Sequence, residues 1–183
     1  MQNCLIDKMY RFRDIVDLEQ LYRMFEDFSH VTALSALLLS HPEQEVLVTS
    51  GHRDVCAGFH IGADHPEPRC NKGRREFASR LKEQKGPFIR QCPNGLTEGA
   101  APVIVKGVHA ASLFIGPVFF EQTDIRLLRK KPVSLGCDVD SCLQALVAVP
   151  TVTLEVLNKA LSLLRAIAVM IADKGLAERA SKC

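Results

Sequence analysis

Cysteine and histidine crowd one stretch of this chain. Cys56, Cys70 and Cys92 follow one another across a segment that also carries His52, His60 and His65. Thiolates together with imidazoles are the donor set of zinc, of iron–sulfur clusters and of haem iron. No Cys-x-x-Cys occurs, so the spacing is not that of a zinc finger or ribbon, and the fold would have to gather the ligands. The same thiols can also be small buried hydrophobes beside a pocket, or redox-active groups where the thiolate is stabilised. The cofactor is therefore unknown from the residues alone. A metal or iron-containing centre on Cys56, Cys70 and Cys92, serving as a redox sensor, stands as the alternative to a plain pocket.

Other chemistries find less support. Cys137 and Cys142 flank Asp138 and Asp140, but the glycine and further ligands of a calcium loop are missing, and either aspartate reads as a helix N-cap. Cys92 with His109 is the nucleophile–base pair an enzyme could use, yet no nucleophile elbow, phosphate loop, HExxH or GxGxxG accompanies it. A non-catalytic chain is expected. The basic run from Lys72 to Lys82 is diluted by Glu76 and reads as a solvated face.

The elements that must position these residues come from periodicity. Leu18, Leu21, Tyr22, Phe25 and Phe28 share one helical face after the N-cap candidate Asp17. Thr32–Ser40 and Glu45–Ser50 form a hairpin around His41-Pro42-Glu43-Gln44. Gly51 to Asn71 reads as an irregular loop, and Gly73 to Lys85 as a helix with Phe77 and Leu81 inward. Phe88–Cys92 is a short strand. Ala101–Lys106 and Ala110–Phe120 form a second hairpin turned by Gly107-Val108-His109. Short helices are expected over Gln122–Lys131 and Ser141–Ala148. The last helix carries Leu154, Leu157, Leu161, Leu164, Ala168 and Ile171 on one face, starts at Thr151 or Thr153, and is expected to end at Gly175.

Strands joined by tight turns make the sheet mainly antiparallel. The expected fold is α/β of the α+β kind: a PAS/GAF-like antiparallel five-stranded sheet flanked by helices, with a long C-terminal helix. One domain spans 1–183, with 151–175 as its signalling helix. A mainly apolar cavity between the sheet and the Cys56–Cys70 segment would suit a small ligand, bordered by Glu98, Pro102, Phe114, Gly116 and Phe119.

Several segments together resemble the PocR sensory-domain family, found in AraC-type regulators and in sensor kinases. Cys56 and Cys70 bracket the loop Ala57 to Arg69, which includes Phe59. Cys92-Pro93-Asn94-Gly95-Leu96 is similar to the family's Cys-x-x-Gly-Leu. Pro102 to Gly107 matches Pro-apolar-x-apolar-x-Gly, Gly116 closes the next strand, and Val149-Pro150-Thr151 precedes the Leu-rich helix. Two departures fall where the resemblance places the ligand: Pro117 stands where the family usually has Gln, and Pro93-Asn94 where a His is common. The resemblance implies sensing of small organic molecules such as diols or simple hydrocarbon derivatives. It places the ligand against Cys56, Phe59, Cys70, Cys92, Gly95 and Leu96 on the loop side.

Bulk properties bound the rest. The chain has 183 residues, 47% hydrophobic and 24% charged, enough apolar content for a packed core. A net charge of +2, no Trp and two Tyr give nucleic acid neither an electrostatic footprint nor a stacking platform. Seven cysteines, an odd number without a secretory leader, argue against a disulfide framework. The most apolar helix, Leu161–Ala172, is short for a bilayer and broken by Arg165. The expectation is a cytoplasmic piece of a longer regulator that binds a small molecule. Its output domain, a kinase or helix-turn-helix, would lie elsewhere in the same parent. A homodimer is expected through the leucine face if that face is not core, and direct contact with nucleic acid or membrane is not.

Overall fold

The computed structural model describes residues 10–51, 76–77, 80–81, 87–92, 96–120 and 139–181. Helix α1 spans Phe12–Ile15 and α2 spans Leu18–Thr32. Asp17 caps α2 by accepting from the Gln20 N–H at 3.0 Å, and Ala33, at φ 58°, ends it in the left-handed conformation. Leu21, Phe25 and Phe28 are buried along the expected face, whereas Tyr22 is exposed. The chain then enters β1 (Ala36–Ser40) and β2 (Val46–Ser50). The first strand is shorter than the sequence suggested, because Thr32 still belongs to α2.

Strand β3 is Phe88–Gln91, β4 Thr97–Val105 and β5 Val108–Val118. All pairings are antiparallel, in the order β2-β1-β5-β4-β3. The β4–β5 turn is tighter than expected. Lys106 and Gly107 form it, with φ of 48° and 84°, while Val108 and His109 already pair with Val105 and Ile104. Two successive positive φ angles are the requirement of a type I′ hairpin. Strand β4 also starts four residues earlier than its apolar run. Its Pro102 sits past the reach of β3, which pairs only Thr97 to Ala100, so the outer edge there is open and tolerates proline.

Helix α3 is Val139–Val147 and α4 is Leu154–Ala180. Asp140 lies within the first turn of α3 rather than at its cap, and Asp138 falls outside the described residues. Thr153 caps α4, its Oγ1 accepting from the Val156 N–H at 3.2 Å. Leu157, Leu161, Leu164, Ala168 and Ile171 bury against the sheet, but Leu154 is exposed. Each fully buried leucine contributes roughly 2 kcal/mol. The helix runs through Gly175 rather than stopping there. Gly175 is instead a contact point with α1, where a Cβ would fall 1.7 Å from the Ile15 carbonyl oxygen.

One core layer lies between the sheet and α1, α2 and α4, built on Leu21, Phe25, Leu38, Leu113, Ile115 and Leu161. A second covers the opposite sheet face, where Phe77 and Leu81 lie on Leu37, Leu39, Ala100 and Phe114. Glu76, Phe77, Arg80 and Leu81 are helical, as expected for the basic segment. The expected helix over Gln122–Lys131 and most of the Gly51–Asn71 loop lie outside the described residues. Among the described residues, no helix is long and apolar enough to cross a membrane.

Candidate functional site

The sheet face away from α4 gathers the polar groups. Antiparallel register sets Phe88 opposite Ala100 and Arg90 opposite Glu98, with Ala100 in turn opposite Phe114 and Pro102 opposite Ser112. Phe77 closes over this row from the helix above. Its ring meets Phe88 edge-on at 4.3 Å and Phe114 tilted at 5.6 Å. Arg90 lies with its guanidinium carbon 4.0 Å from the centre of the Phe77 ring, a cation–π arrangement that strengthens as water is excluded.

Arg90 also pairs with Glu98, Nη2 to Oε2 at 3.3 Å, with side-chain exposures of 19% and 13%. That pair uses one guanidinium N–H. The Nε–H is buried and has no acceptor among the described residues. A buried donor left without a partner costs about 1–3 kcal/mol. An acceptor supplied from outside the chain would recover that cost.

Further along the face, the buried Ser112 hydroxyl lies 3.1 Å from His109 Nε2. The His109 ring stacks on His41 at 3.9 Å, the planes 12° apart. Neither histidine was singled out as a ligand contact by sequence reasoning. They come from the two hairpins, which only the β1–β5 pairing brings together. Arg90 was missed for a similar reason. A lone arginine in a short strand carries no motif, and only the register reveals its partner.

The sequence-derived site residues divide into three groups. Glu98, Pro102 and Phe114 lie along this face. Gly116 stands at the end of the same strand with φ 121°, its N–H donating to the Ser35 carbonyl at 3.0 Å. Cys92, Leu96 and Phe119 form a separate apolar cluster with Leu146 and Val149 beneath α3, where the Cys92 N–H donates to the Leu96 carbonyl at 2.7 Å. Cys56, Phe59, Cys70 and Gly95 lie outside the described residues, as do His52, His60 and His65. Among the described residues, no three His, Cys, Asp or Glu side chains converge as metal ligands.

Pro117 follows a cis peptide bond and lines a different hollow of about 620 Å3, with Glu26, Ser29, His30, Gly51 and Pro150. A sequence profile described as "Sensory domain found in PocR" matches residues 14–176. The chain belongs to this family. The match begins in α1 and ends within α4, so it takes in every strand. A sensory domain of a regulator binds a small-molecule ligand, and the family assignment carries that general role to this chain. Among solved structures, the chain is similar to an IclR homolog from Microbacterium hydrocarbonoxydans crystallised with 4-hydroxybenzoate. The two share 18% identity over 79% of this chain and 68% of that one, with a TM-score of 0.31. No curated protein matches the sequence.

Proposed function

We propose that this domain senses a small hydroxylated organic molecule, a diol or a simple hydrocarbon derivative, held on the Phe114 face of the sheet. One observation carries the reading. Arg90 lies over the Phe77 ring, it shares a single N–H with Glu98, and its buried Nε–H has no acceptor among the described residues. A hydroxyl can accept from that Nε–H while a neighbouring hydroxyl donates to the Glu98 carboxylate. The carbon skeleton would lie along the half-buried Phe88, at the margin of the packed Phe77–Phe114 layer. The charged pair has no net charge, which favours a neutral polar guest over an ion. Cys56, Phe59, Cys70 and Gly95 would enclose the guest from the loop side, with Pro102 and Gly116 at its borders; Cys92, Leu96 and Phe119 belong to the neighbouring cluster under α3.

Binding would favour one arrangement of the segment above the sheet, and α4 would pass the change to an output module, a kinase or helix-turn-helix, in the same cytoplasmic parent. No catalytic step is assigned to the domain, and no direct contact with nucleic acid or membrane.

Thermal denaturation of the purified domain tests this with a series of short aliphatic 1,2-diols, the matching monoalcohols and the alkanes. The expected result is a saturable rise in Tm with a diol or alcohol, lost in Arg90→Leu and weakened in Phe114→Ala. No rise with any of them would overturn the reading. Stoichiometric zinc or iron in the purified domain, lost in Cys56→Ala, Cys70→Ala and Cys92→Ala, would replace it with a metal-bearing redox sensor.

A further inference from the structure

The leucine face of α4 is consumed by the core, but the helix carries a second apolar line. Val156, Leu163 and Met170 are seven residues apart in sequence and are 46%, 54% and 70% exposed. Ala177 continues the same spacing and is exposed. A seven-residue period keeps side chains on one seam of a helix paired with another helix. Here the seam runs most of a 27-residue helix, about 40 Å long at 1.5 Å per residue.

The charges beside this seam are arranged symmetrically. Ala166 lies near its middle, exposed and small. Lys159 stands seven residues before Ala166 and Asp173 seven residues after it, and all three fall on the same side of the apolar line. A second copy of the helix laid antiparallel about Ala166 would set alanine on alanine at the closest approach. It would set Lys159 against Asp173 of the other copy, twice, and Leu163 beside Met170, twice. A parallel pairing would instead oppose lysine to lysine and aspartate to aspartate. Lys159 and Asp173 also have partners within the chain, Glu155 at 2.6 Å and Lys106 at 3.4 Å. The Glu155, Lys159 and Lys106 side chains are largely exposed and Asp173 is 42% exposed, so the antiparallel contact would extend each pair into a network rather than break it.

We propose that the outer face of α4 is a self-association surface, and that its occupant is a second copy of this chain with its α4 antiparallel. The apolar period supplies the attraction, and the charge order selects the direction. This role is independent of the ligand and uses a face of α4 distinct from the buried leucines.

Sedimentation equilibrium of the full chain tests the surface, with circular dichroism as the check on folding. The wild type is expected to be a dimer. Leu163→Glu and Met170→Glu are exposed-site changes and should give folded monomers, with at least a tenfold weaker association. Lys159→Asp and Asp173→Lys should each weaken the dimer several-fold, and the double reversal should restore it. A wild type that stays monomeric at millimolar concentration overturns the proposal. So does a dimer indifferent to Leu163→Glu. A dimer that is lost in Leu163→Glu but unmoved by either single charge reversal overturns the antiparallel arrangement.

Discussion

The Gly175 backbone of α4 rests against the Ile15 carbonyl of α1, with no room between them for a methyl group. The contact locks the four-residue α1 to the 27-residue α4, and a side chain at 175 would drive them apart. Gly175→Ala gains up to about 1 kcal/mol of helix propensity, but the overlap with backbone calls for a shift of α1 that costs more, about 1–3 kcal/mol. A net loss of stability in chemical denaturation is expected, and an increase would show that α1 is not held there.

Gly116 combines φ 121° with a Cβ position 2.9 Å from the Thr97 carbonyl oxygen. Both features resist a side chain. Gly116→Ala should destabilise the domain by about 1–3 kcal/mol and loosen the β4–β5 pairing at Thr97. Amide exchange at Val118, the partner of Thr97, reads this directly.

Two buried hydroxyls, Ser29 Oγ on α2 and Ser50 Oγ on β2, lie 2.8 Å apart. Removing one leaves the other without that partner. Ser29→Ala and Ser50→Ala should each cost about 1–2 kcal/mol, and the double variant should cost less than their sum. Strict additivity in a double-mutant cycle would mean the two hydroxyls do not interact.

Arg90→Leu separates function from stability. It removes a buried charge with an unfilled donor but strands Glu98 at 13% exposure. Arg90→Leu with Glu98→Leu removes the pair together, which is neutral or stabilising by about 1–4 kcal/mol in comparable sites. The double variant should therefore melt no lower than wild type while losing its response to diols. A clear fall in Tm would mean the pair is structural.

The side-chain hydrogen bond from Arg11 holds the Asp14 carboxyl below its ordinary value, and the nearby Arg11 charge and backbone N–H add to the shift. A depressed folded-state pKa adds stability above the unfolded value, and that contribution fades as the pH falls through the folded one. The group is solvent-exposed, so the effect on melting is small. The direct reading is an NMR titration. Asp14 should titrate below ordinary aspartates, and Arg11→Ala should return it upward.

Much of the scaffold was written in local pattern. The α2 face, the Asp17 and Thr153 caps, the antiparallel hairpins and the inward Phe77 and Leu81 follow from spacing and residue type. Failures arose where tertiary contact overrode a local rule. Gly175 reads as a helix stop until Ile15 is seen beside it. The apolar run suggests a strand from Ala101, since glycine weakens strands, yet β4 begins at Thr97. In the fold, Gly99 makes room for Leu161, whose Cδ1 would be 2.5 Å from a Cβ there. Of the residues on the candidate face, Glu98, Pro102 and Phe114 are readable from the apolar strands, whereas the placement of Arg90, Ser112, His41 and His109 follows only from the register. Cys92, Leu96 and Phe119 were read as one set with them, yet they pack in a neighbouring cluster at the end of the sheet.

The strand order has a consequence for how the chain reaches this state. Strand β1 is buried along its whole length, yet one of its two neighbours is β5, whose residues 111–115 pair with 36–40. During synthesis, the first hairpin therefore emerges with an unpaired apolar edge and waits for most of the domain to follow. Such long-range pairing slows folding and leaves an aggregation-prone edge open meanwhile. A ribosome stalled before β5 would hold a nascent chain whose apolar β1 edge has no partner, an exposure set by topology and not by final stability.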